Sequence, residues 1–186
     1  MAGKKNSISK FALGAALFAL GLLLVFARQN ATTITQTDTF AQEPVSVQGF
    51  EEGELDEARV PQRVIIPDLA IDLEVEKAEV VGGYWEVFAD SAAWGTGSGL
   101  PGEAGNQVIF AHAREGLFLP LRSIEVGQKV YVLNEDEWYK YEVYEIKEVY
   151  PNQVEVIAPT EDETLTLYTC SGYQDSKRLI VIAKPV

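Results

Sequence analysis

From about Arg59 onward the chain breaks into short β-like runs punctuated by Pro, Gly, Asn and Asp. No stretch of helical periodicity longer than about ten residues follows residue 30, which leaves strands as the building material. The candidate strands are Arg63 to Ile66, Leu73 to Lys77, Tyr84 to Phe88, Gln107 to Ala111, Lys129 to Leu133, Trp138 to Tyr150, Leu165 to Thr169 and Leu179 to Lys184. The longest, WYKYEVYEIKEVY, alternates large apolar residues with Lys and Glu, as a strand with one wet face does. Gly82-Gly83 sits where a tight turn is expected, Gly95 to Gly102 reads as a loop, and Leu117 to Ile124 can hold a helical turn. Eight short strands in 128 residues predict a mainly β fold, an antiparallel-rich barrel that is closed or nearly so, with a sandwich as the alternative.

Upstream, Phe11 to Ala27 is 17 residues without a charge. As a helix it rises roughly 25 Å, at the short end for crossing a hydrocarbon core of roughly 30 Å. Lys4, Lys5 and Lys10 before it, against Arg28 after it, predict a cytoplasmic N-terminus and an exported remainder. The expected layout is a cytoplasmic tail over 1–10, a transmembrane anchor over 11–28, a flexible acidic stalk over 29–58 and a folded domain over 59–186. Val25-Phe26-Ala27 loosely resembles a signal cleavage site, so a cleaved leader is the competing reading; both export the domain. The stalk is rich in Thr, Gln and Glu and ends in the acidic cluster Glu51 to Glu57.

All 28 acidic residues lie after position 28, with 11 of the 15 basic ones, so the exported part carries a net charge of −17. That argues against nucleic-acid binding, which needs concentrated Lys and Arg. The exported part also holds a single cysteine, Cys170, and a single histidine, His112. A lone cysteine cannot form an internal disulfide; it is a dimer link, a small buried hydrophobe or a reactive thiol.

Position favours the reactive thiol. Cys170 closes the run Leu165 to Thr169 and precedes the turn-forming segment Ser171 to Lys177, so it sits where a rigid strand can both hold and expose it. Arg178 opens the next run, and a hairpin brings it back beside the cysteine as a permanent cation, able to lower the thiol pKa or bind an oxyanion. His112 follows Val108 to Ala111 at another strand end and supplies the proton carrier that thiol acyl transfer needs near neutral pH. Thr169 contributes either a hydroxyl toward substrate or a fixed backbone beside the nucleophile.

Thr166-Leu167-Tyr168-Thr169-Cys170 with Arg178-Leu179-Ile180-Val181-Ile182-Ala183, and Pro101-Gly102 through Gly105-Asn106-Gln107-Val108-Ile109 to Ala111-His112, resemble the signatures of the sortases, the cysteine transpeptidases of bacterial cell surfaces. Phe118-Leu119-Pro120-Leu121 through Ile124 to Gln128 resembles the continuation of that pattern. The likeness covers residues 60 to 186 and departs at Ala111-His112-Ala113, where many relatives have Gly before the histidine and Asn or Arg after it. The resemblance implies a sortase-like closed eight-stranded β-barrel with short helical turns behind one N-terminal transmembrane helix. It also implies catalysis by His112, Cys170 and Arg178. The implied reaction is cleavage of a sorting motif similar to Leu-Pro-x-Thr-Gly on surface proteins, with transfer to an amine such as a peptidoglycan precursor or a pilin lysine. No metal or cofactor is expected: some sortases bind calcium through carboxylates, but Glu161-Asp162-Glu163 reads as a solvated acidic turn. An exported cysteine hydrolase and an inert β-barrel scaffold are the rival readings.

Overall fold

The computed structural model describes residues 56–186. The expected tail, anchor and most of the stalk lie outside the described residues; among those described, no helix is long and apolar enough to cross a membrane. The folded part begins slightly before the expected boundary. Asp56 caps the 3-10 turn Glu57–Arg59 through the Ala58 N–H at 3.2 Å, and Glu57 pairs with Lys77 at 2.8 Å.

Ten strands follow: β1 Arg63–Ile66, β2 Ile71–Ala78, β3 Val80–Val81, β4 Tyr84–Trp85, β5 Ala92–Gly95, β6 Asn106–Phe110, β7 Lys129–Leu133, β8 Trp138–Val149, β9 Thr164–Ser171 and β10 Lys177–Pro185. Eight of them close a barrel in the order β1-β2-β5-β6-β9-β10-β8-β7, while β3 and β4 form a separate two-stranded ribbon. Most neighbours are antiparallel; β2 with β5 and β6 with β9 are parallel. The closed barrel replaces the sandwich alternative, and the 3-10 turn Leu119–Ser123 falls inside the segment expected to hold one.

One strand was assigned to the wrong stretch. Tyr84 to Phe88 was expected in the barrel, but only Tyr84–Trp85 is extended, and it pairs with Val80–Val81 across Gly82-Gly83. Those glycines have φ of 64° and 88°, the left-handed pair that a two-residue hairpin turn requires. The barrel position belongs instead to Ala92–Gly95, whose four residues are all buried and so show no alternation. Trp85 lies across that strand. A Cβ on Gly95 would come within 2.4 Å of the indole, whose N–H donates to the Thr96 carbonyl at 3.0 Å.

Two apolar layers sandwich the sheet around β9. Val64, Ile66, Trp94, Ile109, Leu121, Val132, Leu165, Leu167 and Val181 belong to the larger cluster, which fills the barrel. Trp85, Val108, Phe110, Val149, Ile157, Tyr168 and Ile180 form a second cluster on the outer face of β6, β9 and β10. Phe110 stacks on Tyr168 at 4.8 Å between ring centroids, and Trp85 stacks on Phe110 at 5.8 Å. Burial on both faces is worth about 1.5–3 kcal/mol per large apolar side chain and makes β9 a rigid mount.

One inner position breaks the pattern. Gln107 is level with Leu165 on the barrel side and 1% exposed, and its amide nitrogen and oxygen find no hydrogen-bond partner among the described residues. Replacing it with methionine removes two buried polar atoms at nearly constant volume. Gln107→Met is expected to raise unfolding free energy by about 1 kcal/mol, read as a higher urea midpoint at unchanged slope.

Candidate active site

Strand register brings Cys170 and Arg178 onto one face and leaves His112 just past the end of the neighbouring strand. Cys170 and Arg178 are directly opposed in the antiparallel β9–β10 pair, and opposed residues project to the same side. Phe110 is level with Tyr168 in the parallel β6–β9 pair, and the ladder continues past β6 through the Ala111 N–H, which donates to the Tyr168 carbonyl at 3.4 Å. Two residues further along each chain are His112 and Cys170. Cys170 and Arg178 therefore share the outer face of β9 and β10, one step beyond Tyr168 and Ile180, and His112 lies two residues past Phe110 in the segment that leaves the end of β6. The strand bounds differ a little from expectation: β9 runs on to Ser171, and Lys177 rather than Arg178 opens β10.

Each group is held by named contacts. Arg178 is 4% exposed, and its Nη1 donates to the carbonyls of Asp175 and Lys177, both at 2.9 Å. Those carbonyls belong to a tightly wound β9–β10 loop in which Gly172, Gln174 and Asp175 all have positive φ, of 76°, 52° and 57°. Left-handed Gln174 is an unfavourable conformation for a residue with a Cβ, so the surrounding contacts must impose it. Beside His112, the histidine carbonyl accepts from the Phe118 N–H at 3.0 Å, which folds residues 113–117 back on themselves.

Thr169 occupies a different place from the groove. It is 1% exposed on the barrel side, and its hydroxyl donates to the Ala111 carbonyl at 2.7 Å. That bond ties the nucleophile's strand to the residue before His112 and supports the backbone-fixing reading over contact with substrate through the hydroxyl. Sequence reasoning passed over Asn106 as a positioning residue, although it stands in the Gly-Asn-x-Val-Ile block. Its Nδ2 donates to the carbonyls of Val156 and Ala158 at 3.3 and 3.1 Å, and its Oδ1 accepts from the Thr166 hydroxyl at 2.7 Å. Asn106 thus staples the 3-10 turn Val154–Ile157, within the connection from β8 to β9, onto the strands that carry the site. Arg122 and Asp175 were also missed, for lack of any pattern marking them.

Of the acidic run before β9, Glu163 turns its carboxylate inward to accept from the Gly102 N–H at 2.8 Å and the Tyr141 hydroxyl at 2.7 Å. No group of three or more His, Cys, Asp or Glu gathers in metal-binding geometry among the described residues.

The site's charges oppose one another. Burial pushes the Cys170 thiol above its ordinary 9.0, Arg178 and Arg122 pull it down, and Asp175 pushes it up. Burial pushes His112 below its ordinary 6.5; Arg114 lowers it further and Asp175 raises it. At neutral pH most molecules hold a neutral thiol and a neutral imidazole. A reaction that needs thiolate and imidazolium together gains thiolate as pH rises through the histidine pKa and loses imidazolium by the same measure. The product of the two fractions is flat between the two pKa values and falls outside them. A kcat/KM profile carried by this pair is expected to be a broad bell with its acid limb below 6.5 and its alkaline limb above 9.0, measured on an acyl substrate open to attack by a thiolate. Thr169→Val should cost about 1–2 kcal/mol of stability and lower kcat by loosening the strand before His112, checked by denaturation and steady-state kinetics.

Comparison with known proteins agrees with the barrel fold. A family model described as the sortase domain matches residues 64–186. The chain is similar to Sortase A of Bacillus anthracis, 28% identical over 132 residues covering 69% of this chain and 60% of that protein. It is 30% identical over 133 residues to Sortase A of Streptococcus agalactiae, covering 65% of this chain and 51% of that protein. The chain thus spans roughly half of these curated relatives' own length. Among solved structures, Streptococcus pneumoniae Sortase C superposes with a TM-score of 0.62 at 28% identity, covering 77% of each chain. Sortase A of Corynebacterium diphtheriae, a lid mutant, superposes at 0.59 and 26% identity, covering 72% of this chain and 73% of that one. The family match takes in all eight barrel strands apart from Arg63 at the start of β1, together with every residue from His112 to Arg178, and the chain belongs to the sortase family.

Proposed function

We propose that this chain is a membrane-anchored cysteine transpeptidase of the bacterial surface. The observation that carries the reading is the pairing of Cys170 with Arg178 on one face of a sortase-family barrel, with His112 just past the end of the adjoining strand β6. The substrate is a surface protein bearing a sorting motif similar to Leu-Pro-x-Thr-Gly. The acceptor is an amine on a peptidoglycan precursor or on a pilin lysine. The apolar segment at 11–28 is the anchor, with the N-terminus cytoplasmic and the barrel outside.

The Cys170 thiolate adds to the threonine carbonyl carbon, and the carbonyl electron pair moves onto oxygen. The Arg178 guanidinium, oriented by its bonds to the loop carbonyls, stabilises that oxyanion with a backbone N–H. As the tetrahedral centre collapses, the C–N bond breaks and imidazolium His112 gives its proton to the departing glycine amine. The thioester is then attacked by the acceptor amine, whose proton passes to the now neutral His112, and the thiolate leaves. The reaction runs on these side chains without a metal.

A fluorogenic sorting-motif peptide with and without an added amine tests the proposal. Mass spectrometry should find the amine joined to the threonine carbonyl, and a Cys170 adduct of the acyl fragment when amine is withheld. Release of free acid alone, indifferent to amine, would identify a hydrolase. Cys170→Ala and His112→Ala should lose about 10³-fold or more of kcat/KM, and Arg178→Ala about 10²-fold or more. Activity should be equal in calcium and in chelator.

A further inference from the structure

Arg122 lies outside the three sequence-predicted groups, yet it touches the nucleophile's backbone. It is carried by the 3-10 turn Leu119–Ser123, whose position is fixed by Phe118 and Leu121, both fully buried in the barrel's apolar cluster. From there its Nη2 donates to the Cys170 carbonyl at 3.1 Å and lies 3.6 Å from the Asp175 carboxylate. Asp175 in turn accepts Arg178 Nη1 on its own carbonyl at 2.9 Å. Arg178 is the register partner of Cys170, so the contacts form a ring: Cys170 to Arg122, Arg122 to Asp175, Asp175 to Arg178, and Arg178 back to Cys170 across the ladder.

We propose that Arg122 is a positioning residue for the thiol chemistry: it pins the carbonyl of Cys170, clamps the left-handed β9–β10 loop through Asp175, and places a second positive charge beside the nucleophile. The inference rests on the transpeptidase reading for its purpose, though not for its measurement.

Two observations make the clamp more than a surface ion pair. Gln174 and Asp175 hold left-handed backbone at 52° and 57°, a conformation that needs contacts from outside the loop. Arg122 reaches the loop from 48 residues upstream in the sequence, from a turn anchored in the barrel. Arg122 and Asp175 are also 42% and 39% exposed, so solvent screens their attraction and the pair's value lies in geometry and local field rather than in bulk stability.

The local field gives the proposal a sign. The charges acting on the thiol are Arg178 from β10, Arg122 from the 3-10 turn and Asp175 from the loop, with Tyr168 on its own strand and His112 two residues past the end of neighbouring β6. Glu148 of β8 faces Arg122 in turn and is paired with Lys177 at 3.0 Å. Arg122 pulls the thiol pKa down and Asp175 pushes it up, so removing each charge moves the thiol in opposite directions. Loss of packing alone would move both variants the same way.

The experiment is iodoacetamide alkylation of Cys170 across pH in the full chain, followed by mass. Arg122→Met should shift the alkylation midpoint upward and slow labelling at pH 7.5 by roughly threefold, the size expected for one half-exposed charge. Asp175→Asn should shift the midpoint downward and speed labelling by a similar factor. Arg122→Lys, which keeps the charge but not the planar fork, should restore the midpoint and still lower kcat on a sorting-motif peptide. Near-UV circular dichroism identifies a misfolded variant, and Arg122→Gln then takes the place of Arg122→Met. Unchanged midpoints, or shifts of the same sign in the methionine and asparagine variants, overturn the proposal. Variant midpoints that obey these signs beside a wild-type chain that joins no peptide to an amine leave the clamp standing and remove the transpeptidase reading instead.

Discussion

The site depends on the register of three strands. Because side chains alternate along a strand, a slip of one residue in β9 against β10 would carry Cys170 to the barrel interior while Arg178 stayed outside. The register is pinned by burial on both faces: Leu165 and Leu167 must point in, and Tyr168 must point out beneath Phe110 and Trp85. A strand with one wet face has one apolar pattern to satisfy; β9 has two, and only one alignment satisfies both. The parallel pairing with β6 adds a constraint that a hairpin cannot supply, since it joins segments separated by the whole of β7 and β8. That long-range pairing brings the end of β6, from which the segment carrying His112 departs, alongside β9.

Desolvation works on the two titrating groups in opposite directions, which sets the character of the site. It disfavours the thiolate of Cys170 and the imidazolium of His112 alike, so the resting pair is neutral and the charged pair is a minority. The cations of Arg178 and Arg122 then matter most when negative charge develops on the Cys170 sulfur. Asp175 cuts against them at the thiol but supports the imidazolium, and its carbonyl and carboxylate orient the two arginines. An acid beside a thiolate looks counterproductive when taken alone; its contacts account for its presence.

The barrel was legible in the sequence where strands have a wet face. Lys129–Leu133 and Arg63–Ile66 were read to the residue because they are short, bounded and alternating or partly exposed. Ala92–Gly95 was invisible for the opposite reason: Ala-Ala-Trp-Gly is small, wholly buried and ends at a glycine that exists to admit Trp85. Tyr84 to Phe88 borrowed the look of a barrel strand from the aromatic residues that lie across that strand. At the site, chemistry-bearing residue types at strand ends marked His112, Cys170 and Arg178. Asn106, Arg122 and Asp175 act by contacts over 50, 48 and 53 residues or by loop geometry, and neither leaves a local trace in the sequence.

The departure from the family pattern at Ala111-His112-Ala113 has a physical reading in the same terms. A side chain at position 113 could shape the segment after the histidine, but here the backbone does that work. His112 O accepts from the Phe118 N–H, and Arg114 O accepts from both Leu117 and Leu119. Phe118 is then driven into the barrel, which fixes the return of the loop and, one turn later, the emergence of Arg122. Alanine on both sides of His112 places no polar side chain next to it in sequence, so burial leads in pushing the imidazole down, Arg114 adds to it, and Asp175 from the opposite loop works against both. Changes in the segment around His112 and in the β9–β10 loop would thus shift the imidazole in opposite senses, loss of the Arg114 charge raising its pKa and loss of the Asp175 charge lowering it.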